Sequence, residues 1–223
     1  MSDQPAIHYQ DEHLLVVYKP NGWFAHKTKL DRYSPDLTTW LKEVQGLKAQ
    51  AVHRLDRGTS GLMIFSLDLE SLRGLNEQFA QGQVLKEYQA LVRGWVRSAG
   101  KIDRPIETER GTQEAQTDYE PILRVEKPWL FGGFETSRYS MVRLIPHTGR
   151  RHQLRRHLAG LGHPIIGDST HGDNRQNRHW ALHTGRSRLE LFAVKLGFAH
   201  PVSGERMEFD WGVESELMRI LKE

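Results

Sequence analysis

The chain predicts a single α+β domain, on three observations. Its 223 residues suffice for one well-filled core, with at most a small appendage. Short apolar or alternating runs bounded by glycine, proline and asparagine recur from Leu14 to Phe209 and carry the two-residue period of strands. Between them lie segments whose leucines recur at helical spacing behind a capping residue. No internal repeat or low-complexity tract divides the chain, so one domain over residues 1–223 is expected.

Leu14-Leu15-Val16-Val17-Tyr18 predicts a short buried strand, stopped by Pro20 and the Asn21-Gly22 turn. Lys19-Pro20 reads as structural, closing that strand. Ser34 as N-cap and Pro35 at the first helical position open a helix through Leu37, Trp40, Leu41 and Val44, which Gly46 ends. Leu62 to Phe65 is a continuous apolar run of the buried-strand kind, entered through Gly58-Thr59-Ser60-Gly61. Asp68 caps a second helix whose Leu69, Leu72, Leu75 and Phe79 face the core, with its exit at Gly82.

Lys86 to Val96 alternates as a half-buried strand that puts Tyr88, Ala90 and Val92 on one face. The polar stretch from Arg97 to Glu114 predicts a long surface connection, of a length that is uncommon unless the loop binds something. Strand patterning resumes at Ala115 to Glu120; Trp129 to Phe134, with Gly132-Gly133, predicts a hairpin turn or loop. Tyr139 to Ile145 alternates as a strand that Pro146 ends. A helix is predicted between Gly149 and Gly162, with Leu154, Leu158 and Leu161 as its apolar stripe. Arg151 and Arg155 flank that stripe and Arg156 points nearly opposite. Leu189 to Phe198 and Arg206 to Phe209 predict strands, and Glu214 to Leu221 a closing helix.

Composition narrows the chemistry. There is no cysteine, which excludes disulfides, thiolate nucleophiles and cysteine-ligated zinc. The formal charge is only +3, but its distribution is informative: Thr136 to Gly167 holds Arg138, Arg143, Arg150, Arg151, Arg155 and Arg156 and no acidic residue, a footprint for a polyanion. No run approaches a membrane span, and Met1-Ser2-Asp3-Gln4-Pro5 lacks the basic and apolar regions of a signal peptide, so a cytoplasmic location is expected. His152 and His157 are five apart rather than the four of a helical zinc pair. His163, Asp168, His171 and Asp173 form a second, geometrically unfixed metal alternative.

Asp56 stands between Arg54 and Arg57 at the rim of the predicted core, where opposite charges favour its ionised form. It is either a nucleophile or a structural partner of the two arginines. Tyr88 is either a core aromatic or a stacking surface, and Arg155 belongs at the core margin while Arg156 is placed for solvent or phosphate.

The whole wording of these stretches resembles a known family. His53-Arg54-Leu55-Asp56-Arg57, followed by Thr59-Ser60-Gly61-Leu62, closely resembles the catalytic motif of the RluA-type pseudouridine synthases. Tyr9 to Lys19-Pro20 resembles the family's first motif, and Lys86-Glu87-Tyr88 before an apolar strand its tyrosine motif. Thr148-Gly149-Arg150, His152-Gln153-Leu154-Arg155, His157 and then Gly162-His163-Pro164-Ile165 with Gly167-Asp168 resembles its third. The run from Ile165 to Asn177, with Leu154-Arg155-Arg156-His157-Leu158, is similar to one branch, the tRNA pseudouridine synthase C group. One departure is Leu191-Phe192-Ala193, where many members have Leu-His-Ala.

The resemblance spans Tyr9 to about Pro201. It implies a central mixed, largely antiparallel sheet flanked by helices, and a catalytic domain without the S4-type RNA-binding domain of some relatives. It implies isomerisation of a uridine to pseudouridine, most directly in the T-stem of tRNA (about position 65 in the resembled branch), with ribosomal RNA as the rival substrate. A non-catalytic RNA-binding module is the other alternative. Asp56 would be the catalytic residue, Tyr88 would stack on the extruded base, and Arg155 would form the family's salt bridge with Asp56. Arg54 would touch the RNA backbone or fill the gap left by the target. Arg57, Arg150, Arg151 and Arg156 complete the RNA-binding set, with phosphate contacts that position without reading sequence. Neither a cofactor nor a metal is implied.

Overall fold

The computed structural model describes residues 4–27, 31, 33–213 and 215–222, without the side chain of Glu216. The predicted helix start Glu214 and the first three residues of the chain lie outside them. In chain order the elements are β1 (Ala6–Gln10), β2 (Leu14–Lys19), α1 (Leu37–Glu43), β3 (Gln50–Ala51), β4 (Ser60–Ser66), α2 (Leu69–Ala80) and β5 (Leu85–Arg93). Then come β6 (Gly100–Asp103), β7 (Ile106–Thr108), β8 (Gly111–Gln113), β9 (Gln116–Lys127), β10 (Ser137–Pro146), α3 (Gln153–Gly160), α4 (Asn174–Thr184), β11 (Leu191–Ala199), β12 (Arg206–Asp210) and α5 (Ser215–Lys222). The fold is α+β, a central mixed sheet flanked by helices. Among the described residues no helix is long and apolar enough to cross a membrane.

The chain forms two compact units, Met1–Lys86 with Ala193–Gly212, and Glu87–Phe192 with Val213–Glu223. In the first, the strand order is β1-β2-β4-β11, with β3 on β4 and β12 on β11. β2 and β4 pair antiparallel from Leu14 opposite Ser66 to Lys19 opposite Gly61. Both strands are buried along their whole length, as their unbroken apolar runs predict. Leu14, Val16, Leu62, Ile64, Leu75 and Phe198 make the core on one face. At about 25 cal/mol per Å² of apolar surface, each such side chain contributes roughly 1.5–3 kcal/mol.

In the second unit the order is β5-β10-β9-β6, and β7 and β8 form a separate hairpin. Ala90 and Val92 of β5, Val142 and Leu144 of β10 and Leu154 and Leu158 of α3 share a core against which Tyr88 packs. Tyr139 lies among the aromatics of α4, 5.0 Å from the Trp180 ring.

Four expectations are corrected. The cap of α1 is Asp36, whose carboxylate accepts from the Thr39 amide at 2.9 Å, and not Ser34. Phe24 pairs with Pro35 and Asp36 and keeps that segment extended, which delays the helix. Leu69 is 60% exposed: Ser71 and Leu75 are the buried residues of α2, and Leu69 lies about 140° round the helix from their midpoint. The polar stretch 97–114 is no plain loop but holds β6, β7 and β8, whose only buried residues are Ile102 and Ile106. α3 begins at Gln153, not at Gly149, and Leu161 lies past its end, 40% exposed. Its late start has a local cause: the Gln153 side chain accepts from Thr148 Oγ1 at 2.7 Å and the Arg150 amide at 3.0 Å, wrapping 148–152 into a turn.

Candidate active site

Asp56 sits on a turn built and braced within the first unit. The chain leaves β3 alongside β4, where the Val52 amide donates to Ile64 O at 3.0 Å. His53 then takes the place of a backbone acceptor: its Nε2 accepts from the Ile64 amide at 3.1 Å while the ring stacks on Phe79 at 4.8 Å. Burial, with a smaller contribution from the Lys86 charge, pushes His53 down to about 3, so the ring is neutral and carries its proton on Nδ1. Leu55 is buried and anchors the next step, and the Thr59 amide donates to Asp56 O at 3.0 Å to close the turn. Asp56 itself is half-buried.

Two features fix the backbone on the C-terminal side of the aspartate. Gly61 has φ +127°, and a Cβ there would lie 2.2 Å from Ala193 O, so only glycine fits. Lys19 is wholly buried, and its Nζ donates to Trp23 O at 2.8 Å, Pro20 O at 2.9 Å and Arg57 O at 3.1 Å. The Gly22 amide also donates to Arg57 O, at 2.9 Å, and the Asn21 side-chain amide donates to Gly58 O. The Lys19-Pro20-Asn21-Gly22 corner therefore grips both carbonyls that come directly after Asp56. This agrees with the structural reading of Lys19. Burial lowers the Lys19 amine to about 7, against the pull of the Asp56 charge and with the push of Arg57.

The flanking arginines differ. Arg54 is exposed. The Arg57 side chain turns to Gly22 O (Nε, 3.1 Å) and Asp31 (3.6 Å) and lies over the Phe24 ring at 5.4 Å. Its charge is engaged by Asp31, a partner that sequence adjacency to Asp56 does not suggest.

The second unit holds Tyr88, Arg155, Arg150, Arg151 and Arg156. Tyr88 stands opposite Leu144 on β5, half-buried. Arg155, 8% exposed, projects from α3 and is held bidentately by Asp168 (Nε 2.8 Å, Nη2 2.7 Å). Asp168 also accepts from the Thr170 amide at 2.9 Å and the His171 amide at 3.0 Å. Burial works to raise the Asp168 pKa, but the hydrogen bonds from Arg155, His171 and Thr170 and the Arg155 charge together outweigh it and hold the carboxyl below its usual range. The residue before it, Gly167, has φ +80°, and a Cβ there would lie 1.8 Å from Arg188 O. His152 precedes α3 with φ 56°, the one non-glycine residue among those described with positive φ, and bonds through Nδ1 to His171 Nε2 at 2.9 Å.

The three remaining arginines reach the segment that carries β7 and β8. Arg156 Nη1 donates to Glu107 O at 2.7 Å, Arg151 meets Glu109 at 3.5 Å, and Arg150 Nε donates to Glu114 O at 3.1 Å. Arg156 so joins α3, and Arg150 and Arg151 the turn before it, to the segment 107–114.

Asp168 was legible in sequence only as part of the Gly-His-Pro-Ile-x-Gly-Asp run and as a metal alternative; its bond to Arg155 was not. The residues of that alternative have other partners: Asp168 binds Arg155, Asp173 caps α4 and pairs with Arg93 at 2.8 Å, and His163 Nδ1 meets Arg93 O at 2.9 Å. Among the described residues no group of three or more histidines and carboxylates is placed to hold a metal ion.

Comparison with known proteins supplies the context for this geometry. Residues 13–160 match the family described as RNA pseudouridylate synthase. A Yersinia pestis protein named tRNA pseudouridine synthase C is 44% identical over 214 residues, covering 90% of this chain and 83% of the relative. One of the same name from Pasteurella multocida is 41% identical, covering 96% of this chain and 94% of the relative. Among solved structures, human RNA pseudouridylate synthase domain containing 4 superposes with a TM-score of 0.71 at 26% identity, covering 96% of this chain and 92% of that one.

Proposed function

The chain belongs to the RNA pseudouridylate synthase family, of the RluA type, and on that premise we propose that it isomerises a uridine of tRNA to pseudouridine in the cytoplasm, with Asp56 as the catalytic residue. The observation that carries this is the identity of 44% and 41% with relatives named tRNA pseudouridine synthase C, across nine-tenths or more of the chain. The matched residues 13–160 include Asp56, Tyr88 and Arg155. Residues 1–223 work in this reading as one catalytic domain, and the target is the T-stem uridine at about position 65, as the resembled branch implies.

The reaction is balanced within one nucleotide. The bond from C1′ to N1 of uracil breaks, the base turns in the site, a bond from C1′ to C5 forms, and the proton leaving C5 is replaced by one on N1. Asp56 begins it, either by attacking the nucleotide or by helping to abstract a ribose proton. Both need an ionised carboxylate on a fixed backbone, and the grip of Lys19, Asn21 and Gly22 on the carbonyls after Asp56 supports that role. Tyr88 stacks on the extruded base. Arg155 completes the catalytic set as the positively charged partner of the aspartate, and its orientation is set by Asp168. Arg54 fills the gap left by the target or holds the backbone, while Arg57, Arg150, Arg151 and Arg156 contact phosphates.

The test is to incubate wild-type and Asp56→Asn protein, without added metal, with unmodified tRNA and rRNA transcripts and to map pseudouridine at nucleotide resolution. An Asp56-dependent pseudouridine in the tRNA T-stem is the expected result. Modification only in rRNA overturns the substrate, and turnover by Asp56→Asn near the wild-type rate overturns the role of Asp56.

A further inference from the structure

We propose that a pocket on the second unit, between the β9–β10 turn and α4, binds an unpaired nucleobase of the RNA substrate. This rests on the RNA activity proposed above and concerns a site none of the catalytic residues enters. The pocket has a volume of about 770 Å³, within the range of ligand-sized clefts, roughly 300–1,000 Å³. Arg93, Phe131, Phe134, Arg138 and Gln176 line it, together with the Gly132-Gly133 turn.

Its Arg138 wall is braced by Trp95, which stands outside the lining. The Trp95 indole is pinned by its Nε1 donating to Val125 O at 3.2 Å, and the Arg138 guanidinium lies 4.3 Å from the centre of that ring. Glu126 holds the Arg138 plane by accepting from Nε at 3.1 Å. Phe134 lies at the other end of a two-residue turn closed by reciprocal amide–carbonyl bonds with Phe131, at 3.0 and 3.1 Å. Its ring is 74% exposed, which for a large apolar side chain on a rigid turn marks a surface waiting for a flat partner.

The charges decide which part of a nucleotide fits. The two lining arginines each have a carboxylate partner, Arg93 with Asp173 and Arg138 with Glu126, and Glu135 is a third acidic group, itself in the lining. Both arginine charges are engaged and Glu135 adds a negative one, which disfavours a phosphate. Arg93 meets Asp173 through Nη1 alone and Arg138 meets Glu126 through Nε alone, so each keeps N–H groups that donate to no other described residue. A pocket whose arginines are already paired, with aromatic and guanidinium planes and spare donors, matches the face and the acceptor edge of a base.

The test uses Phe134→Ala, which removes an exposed ring and leaves the backbone turn in place. Its Kd for an unmodified tRNA transcript, and its KM, should rise roughly tenfold, the order of a lost base–aromatic stack, with kcat unchanged. The slope of log Kd against log salt should stay as in the wild type, because no phosphate contact is lost, and Phe134→Trp should restore affinity. Ultraviolet crosslinking of the wild type to tRNA should map to the peptide holding Phe131 to Arg138. Affinity within twofold of the wild type, a changed salt slope, or crosslinks confined to other peptides each overturns the proposal; unchanged RNA affinity would leave a protein as the occupant. Affinity and crosslinking are read without turnover, so a wild type that forms no pseudouridine would sink the activity and not this site.

Discussion

Asp168→Asn is the substitution from which the structure predicts most. The carboxylate accepts four hydrogen bonds, two from Arg155 at 2.7 and 2.8 Å and two from backbone amides at 2.9 and 3.0 Å, in a place where its side chain is 1% exposed. An asparagine is of the same size but offers one oxygen in place of two. Whichever way it turns, an NH2 group faces either the guanidinium or the two amides, and Arg155, 10% exposed in its side chain, loses its bidentate contact with the Asp168 carboxylate. Breaking one side of a buried pair costs about 3–5 kcal/mol, whereas an exposed pair would cost about 0–1 kcal/mol. Taking about 4 kcal/mol and a urea m-value of about 2 kcal/mol/M, the midpoint of equilibrium unfolding falls by about 2 M. The pH dependence gives a second reading. The folded Asp168 pKa is depressed, so its stabilisation is present above the unfolded value of about 3.9 and is lost as pH falls through the folded one. The gap between wild type and variant should therefore be full at pH 7 and narrow below about pH 4. Urea titrations followed by tryptophan fluorescence at both pH values decide it: a loss under 1 kcal/mol at pH 7, or a gap that widens in acid, would refute the reasoning.

The remaining expectations concern the support of Asp56 and the arginine proposed for phosphate. Gly61→Ala forces a Cβ to 2.2 Å from Ala193 O at φ +127°, and should cost about 3 kcal/mol or more in the same urea assay; a midpoint equal to wild type would show that the strand entry yields. Lys19→Met leaves Pro20, Trp23 and Arg57 carbonyls without their buried donor and should cost about 3 kcal/mol near pH 6. Because the folded Lys19 value of about 7 lies below the unfolded 10.4 or so, the unfolded chain binds more protons between them. The wild type should gain stability on that account from pH 7 to pH 10 and the Met variant should not, so parallel pH profiles would contradict the assignment. Arg156→Ala should weaken tRNA binding and reduce the salt slope by about one, and an unchanged slope in filter binding would take Arg156 off the phosphate backbone.

What the sequence by itself determined is whatever a local pattern encodes. The unbroken apolar runs at Leu14 and Leu62 become the fully buried β2 and β4, and Asp68 caps α2 through the Ser71 amide at 2.8 Å. The motifs around Asp56, Tyr88 and Arg155 were enough to identify the family, because they lie within continuous stretches whose wording survives without the fold. Tertiary structure decided the partners. Asp31 for Arg57, Asp168 for Arg155 and the three carbonyls around Lys19 come together only where the chain reverses, and no spacing rule gives that. The helix at 174–184 was missed for a related reason: only Gln176 and Trp180 of it are buried, too few for a visible apolar stripe. The strand at 100–103 was hidden because an edge strand needs only an occasional inward residue, such as Ile102, when its backbone bonds are made by a neighbour that comes later in the sequence, β9.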